Sequence, residues 1–133
     1  MSLEAVIAAA IDASPLNRGV CGVSWLAHMG NVPVVIGDDI ALFDDEGDGV
    51  YQMHVLFVSR GKAAVASARE SLQRLFSEHA ADLVFAMVPD DRRDVKLLAR
   101  WTGMKSCGKR LTSDGLCELF VMPKEMWRKN WAF

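Results

Sequence analysis

Where a strand-like apolar pattern gives way to a helical one, the chain reads Phe57-Val58-Ser59-Arg60-Gly61-Lys62-Ala63-Ala64. The small side chains of Gly61, Ala63 and Ala64 let a ligand come close to the backbone. The first N–H groups of the helix that follows have no intrahelical acceptor and sit at the positive end of its dipole. Arg60 and Lys62 add positive charge at the same place, and together these features suit a phosphate group. The same residues also read as a tight turn carrying solvated cations. A few positions upstream, His54 is the acid–base candidate, because imidazole changes protonation state near neutral pH. No Asp or Glu lies between Tyr51 and Val58 to take that part. The other reading of His54 is a buried histidine hydrogen-bonded to a neighbouring strand.

Other constellations carry less. The run Asp44-Asp45-Glu46-Gly47-Asp48-Gly49 sets acids and a glycine as a calcium loop does, but the bidentate ligand of such a loop would fall on Val55. It reads as a solvated hairpin turn. Cys21, Cys107, Cys117, His28, His54 and His79 show no metal-ligand spacing, and no metal site is expected. Cys107 and Cys117 are placed to face each other across the last hairpin. The tail interleaves basic and aromatic residues, and Trp127 and Trp131, one helical turn apart, read as a docked terminal helix.

The elements that must position these groups follow from hydrophobic period. Leu3, Val6, Ile7, Ala10 and Ile11 predict a helix over Leu3 to Ala13, ended by Ser14-Pro15. A second short helix is expected from Cys21 to Met29. Val34 to Ile36 and Ile40 to Phe43 are strand-like, and Tyr51 to Val58 is a longer strand forming a hairpin across the acidic turn. Its alternation puts Tyr51, Met53, Val55 and Phe57 on one face and His54 on the other, so Tyr51 reads as packing. From Lys62 to His79 apolar residues step by three and four, predicting a long amphipathic helix. Leu83 to Val88 is continuously apolar, as in a strand covered on both faces. A helix from Arg92 to Thr102 follows, with Asp91 as its expected N-cap and Gly103 as its C-terminal stop. Met104 to Leu111 and Leu116 to Met122 close a second hairpin over Thr112-Ser113-Asp114-Gly115. A strand–helix–strand crossover inside an otherwise antiparallel sheet makes the fold class mixed α/β (α+β).

Composition narrows the functional classes. With 133 residues, 51% of them hydrophobic and 24% charged, the chain is expected to fold as one domain over 1–133 with a core of its own. Fifteen basic and seventeen acidic residues leave a net charge of −2, which gives no general case for nucleic acid or an anionic membrane. No apolar run approaches the roughly 18–20 residues of a membrane span, and the N-terminus lacks the basic region of a signal peptide. Three cysteines without a CxxC pair argue against a disulfide framework, so the expected location is a reducing cytoplasm.

Arg60-Gly61-Lys62-Ala63-Ala64-Val65 resembles the Arg/Gln-x-x-Gly-x-Gly/Ala loop of the GNAT superfamily of acyl-CoA-dependent N-acetyltransferases. Leu97-Leu98-Ala99-Arg100-Trp101-Thr102-Gly103-Met104 is similar to that family's Leu-Tyr-x-x-x-Gly-Phe segment. The resemblance runs from about Ile40 to Met122. Met53-His54-Val55 ahead of Arg60-Gly61, with a late Trp127, looks most like small GNAT-like proteins of phage and prophage genomes. The resemblance implies a mixed, mostly antiparallel central sheet with helices on both faces, and the doubly covered strand Leu83–Val88 is expected to have Lys62–His79 on one face and Arg92–Thr102 on the other. It implies acetyl-CoA as co-substrate, held by Phe57, Val58, Arg60, Gly61, Lys62, Ala63 and Ala64, and acetyl transfer to an unidentified amine or protein acceptor. Homo-oligomerisation is left open. Where members often keep a tyrosine and an asparagine, this chain has Ala99 and Arg92, and its Tyr51–Val58 strand lacks a glutamate. Two functions therefore compete: an N-acyltransferase with His54 as base, and a non-catalytic module of the same fold, such as a phage assembly or accessory protein.

Overall fold

The computed structural model describes residues 2–14 and 20–130. Helices α1 (Leu3–Ala13) and α2 (Gly22–Ala27) come first, followed by strands β1 (Val32–Ile36), β2 (Asp39–Asp45) and β3 (Val50–Leu56). Then come α3 (Gly61–Glu78), β4 (Leu83–Pro89), α4 (Arg93–Thr102), β5 (Lys105–Thr112), β6 (Gly115–Pro123) and α5 (Lys124–Asn130). The six strands form one sheet in the order β1-β2-β3-β4-β6-β5. Every neighbouring pair is antiparallel except β3 with β4, which α3 joins by a crossover. This is the mixed, mostly antiparallel sheet with helices on both faces that the sequence predicts.

Strand alternation assigns the two faces. Ala41 and Phe43 of β2, Met53 of β3, Val84, Ala86 and Val88 of β4, and Phe120 and Met122 of β6 enter the main core. Ala68, Leu72, Leu75 and Phe76 of α3 fill that core from above, and Ala99 of α4 joins them with Val95 and Leu98 packed alongside. The other face of β2 offers Ile40 and Leu42, which pack with Ile7 and Ile11 of α1 and Trp25 of α2. The expectation that α3 and α4 would lie on opposite faces is therefore incorrect. They lie side by side on one face, where Arg69 Nη2 donates to the Trp101 carbonyl at 3.2 Å, and α1 and α2 cover the other. The periodicity of α4 shows that one stripe is buried, but not against which side of the sheet. Because α1 and α2 lie over β1–β3, strand β4 is not doubly covered. Val84, Ala86 and Val88 are buried while Leu83, Phe85 and Met87 are only half-buried.

Several boundaries also move. Strand β3 ends at Leu56, so Phe57 and Val58 belong to the loop before α3. The N-cap position of α4 is Arg92, not Asp91, and no side chain caps it. The helix ends as expected at Gly103, whose φ of 102° only a glycine adopts without strain. Helix α4 is tied to the second hairpin through the buried Glu118, which accepts from Ser106 Oγ at 2.6 Å and Arg100 Nη2 at 3.2 Å. The hydroxyl of Ser106, with Lys96 and Arg100 close by, holds the Glu118 carboxyl below the usual carboxylate range despite its burial. Cys107 and Cys117 do not face each other, because Cys117 pairs with Arg110 and Cys107 falls in a bulge between Ser106 and Lys109. Trp127 is buried and stacks on Phe76 with ring centroids 5.8 Å apart, docking α5 on the α3 side. Trp131 lies outside the described residues.

Candidate functional site

The parallel ladder between β3 and β4 is short. Only Val50↔Leu83, Tyr51↔Val84 and Gln52↔Phe85 are paired, although each strand has 7 residues. Beyond Gln52 and Phe85 the strands part, so the edge of β3 from Met53 to Leu56 has no ladder partner on its β4 side. Unpaired strand backbone offers hydrogen bonds to whatever enters the gap.

Asp39, at the start of β2, holds the chain that leaves the parted end of β3. Its Oδ1 accepts the N–H groups of Val58 at 2.8 Å and Ser59 at 2.9 Å, and its Oδ2 accepts the Ser67 hydroxyl at 2.6 Å. These bonds hold the chain after Leu56 beside β2 and tie it to Ser67 of α3. Burial pushes the Asp39 carboxyl up, but the Ser67 hydroxyl and the two N–H donors outweigh it and hold the group below the usual carboxylate range. Asp39 stands beside the Gly37-Asp38 turn in the sequence, and nothing in that segment points to residues 58, 59 and 67.

The loop so anchored presents the start of α3. Its N-cap residue, Arg60, is extended and supplies no side-chain hydrogen bond. Among the described residues no acceptor is bonded to the first N–H groups of the helix, apart from bonds within it. Arg60, Gly61 and Ala64 line the cleft between the parted strands, and Phe57 lines it from the end of β3. Val58, Lys62 and Ala63 do not line it: all are exposed, and the Val58 N–H is already committed to Asp39. Gly61 holds φ at +60°, with nothing within 4 Å of where a Cβ would stand. Gly61→Ala is therefore expected to cost about 1–2 kcal/mol of stability from backbone strain rather than from a clash. Chemical denaturation measures this, and an unchanged midpoint would contradict it.

The cleft has a volume of about 390 Å³ and passes through the sheet. On the α3–α4 side it is bordered by Arg60, Gly61, Arg92, Val95 and Ala99, and on the α1–α2 side by Ile11, Val20, Trp25, Asp44 and His54. His54 is not buried. Its side chain is 45% exposed and its Nε2 lies 2.9 Å from Asp44 Oδ2. The other oxygen of Asp44 accepts the indole N–H of Trp25. Burial raises the Asp44 carboxyl, but the bonds from His54 and Trp25 prevail and hold it below the ordinary range. An ionised Asp44 accepts a hydrogen bond from the Nε2–H of a neutral His54, which leaves the Nδ1 lone pair free to act as a base. This arrangement also corrects the reading of Asp44 as part of a solvated turn. Asp44 and Leu42 share a face of β2, and Leu42 is in register with His54, so strand pairing was the signal that could have found the pair.

Tyr51 packs against the main core on the opposite face from His54, as its alternation predicts, and burial pushes its phenol up. It is the only tyrosine in the chain, so no phenol lines the cleft. Ala99 lines it.

No protein-family model matches this chain, and no curated protein matches it. Solved structures do share its fold. A spermidine N-acetyltransferase SpeG chimera from Vibrio cholerae and hSSAT superposes with a TM-score of 0.76 at 8% identity, covering 96% of this chain and 94% of that one. The aminoglycoside acetyltransferase AAC(6')-Ib, in complex with ribostamycin and coenzyme A, gives 0.66 at 17% identity over 81% of this chain and 72% of its own. A GNAT-family acetyltransferase from Bacillus anthracis gives 0.53 at 18% identity over 72% and 67%. The fold of this chain is thus the one seen in GNAT acetyltransferases.

Proposed function

We propose that the protein is an acyl-CoA-dependent N-acyltransferase that moves an acetyl group from acetyl-CoA to an amine. The observation that carries this reading is the parting of β3 from β4 directly in front of the uncapped start of α3. A thioester on an extended arm can lie along the unpaired edge of β3, with its phosphates against the N–H groups and cations at Arg60–Ala64. The neighbours of this fold support the same co-substrate, since two of them are complexes with coenzyme A and acetyl-CoA. In the reaction the amine nitrogen attacks the thioester carbonyl carbon, the carbon–sulfur bond breaks, and the amine proton passes to His54 Nδ1, directly or through a water. The departing thiolate takes a proton from solvent, because the single tyrosine lies elsewhere. Slow turnover follows from that lack. The proposal places the protein in the cytoplasm, with Arg60, Gly61 and Ala64 as the residues that hold the phosphates and Lys62 as a flanking cation.

Replacing both Arg60 and Lys62 by alanine tests this reading. Charge-assisted contacts are worth about 1–3 kcal/mol, and solvent screening reduces that for exposed cations. The KM for acetyl-CoA in a thiol-release assay is therefore expected to rise several-fold or more with kcat little changed. An unchanged KM would remove the α3 start from the site.

One observation favours a second reading, a non-catalytic module such as a phage assembly or accessory protein: Ala99 stands in the cleft, and the carboxyl at that end, Asp94, is bonded to Arg92 and held below the usual range, so it is a poor proton donor. Absence of turnover across many amines, with acetyl-CoA bound, would favour that module. Its placement inside a prophage genome would support the phage origin that Met53-His54-Val55 and Trp127 suggest.

A further inference from the structure

The α1–α2 end of the cleft differs from the α3–α4 end in chemistry as well as position. Its walls include Ile11, Val20, Trp25, Leu42 and Leu56, and its only carboxylate among the described residues is Asp44. Both oxygens of Asp44 are engaged, one by the Trp25 indole and the other by His54. The one other acid along the described lining, Asp94, stands at the far end and is bonded to Arg92 at 3.2 and 3.3 Å. Residues 15–19, between Ser14 and Val20, contain no Asp or Glu. An acceptor with several ammonium groups would have to leave water for apolar walls that offer them a single carboxylate, already bonded to two donors, at a cost of several kcal/mol. A single amine escapes that cost, because it enters as the neutral amine that attack requires, its ammonium proton left in water, and His54 takes the proton released on attack.

From this we infer that the acceptor is a small primary monoamine with an aromatic or branched aliphatic body, bound at the α1–α2 end against Trp25. The inference rests on the acyltransferase reading above and names its second substrate. The amine loses one proton to His54 and gains the acetyl group, and coenzyme A leaves as the thiol once solvent supplies its proton. Polyamines and aminoglycosides, the acceptors named for proteins of the same fold, are poor substrates on this account. The phosphate end, with Arg60 and Arg92, repels cations as well.

The test compares 2-phenylethylamine, spermidine and kanamycin in one coenzyme A thiol-release assay, with calorimetric binding of acetyl-CoA measured in parallel. The expected result is a kcat/KM for 2-phenylethylamine at least about tenfold above those for the other two, within the range an apolar pocket supplies. Val20 is exposed at the mouth, so Val20→Glu adds a free carboxylate without disturbing the core. It is expected to raise kcat/KM for spermidine several-fold and narrow the gap. Equal or better use of spermidine or kanamycin by the wild type would overturn the inference. So would failure to acetylate 2-phenylethylamine while acetyl-CoA still binds, which leaves the co-substrate reading standing. Failure of acetyl-CoA to bind would overturn both.

Discussion

His54→Gln is expected to lower kcat by about 10²–10⁴-fold, the usual worth of a positioned general base, while acetyl-CoA binds as before. Glutamine keeps a hydrogen-bonding group near Asp44 but cannot accept a proton. The side chain is 45% exposed and stands on the face of β3 opposite the main core, so folding should survive. The pH dependence separates catalysis from packing. In the wild type the imidazole serves as the base for the amine. In the variant only the rise with alkaline pH remains, since bulk water can then deprotonate the amine. A variant with the rate and profile of the wild type would exclude His54 from the mechanism.

Asp39→Ala should produce a large loss of stability for a polar residue near the cleft. It strands the N–H groups of Val58 and Ser59 and the Ser67 hydroxyl, three donors that now share one carboxylate. At about 1–3 kcal/mol for each donor left unsatisfied, less what water recovers, the expected cost is about 2–4 kcal/mol. Because Asp39 fixes the loop ahead of α3, acetyl-CoA affinity should fall with it. The carboxyl is held below its unfolded value, so its contribution is complete above roughly pH 4. It is lost as pH falls through the depressed folded value. Urea denaturation at neutral pH and at pH 3 would measure both effects. A loss under about 0.5 kcal/mol at neutral pH would mean the loop is held by other contacts.

The parts of the fold legible in the sequence were those encoded locally. Val65, Ala68, Leu72, Leu75 and Phe76 announce α3 by period alone, and Gly103 announces the end of α4 by the conformation it adopts. The turn after Thr112 announces the last hairpin in the same way. Partners far apart in sequence were not legible. Asp39 reaches Val58, Ser59 and Ser67 only once β2 lies beside β3, and Asp44 reaches His54 only through that same pairing. Each therefore reads as turn polarity until the register is known. The face chosen by α4 was hidden for a related reason, since Val95, Leu98 and Ala99 would bury equally well against either side of a sheet. At the site, Arg60-Gly61-Lys62 was visible as a junction of small and basic residues. That Lys62, Ala63 and Val58 stay out of the cleft lining is visible only once β3, the loop and α3 are placed together.

The central claim is that β3 and β4 part to admit acetyl-CoA onto the uncapped start of α3. Calorimetric titration of the unaltered protein with acetyl-CoA tests it most directly. The account predicts one site per chain with micromolar affinity, weakened several-fold when Arg60 and Lys62 are both alanine. No heat with acetyl-CoA at millimolar concentration would contradict it.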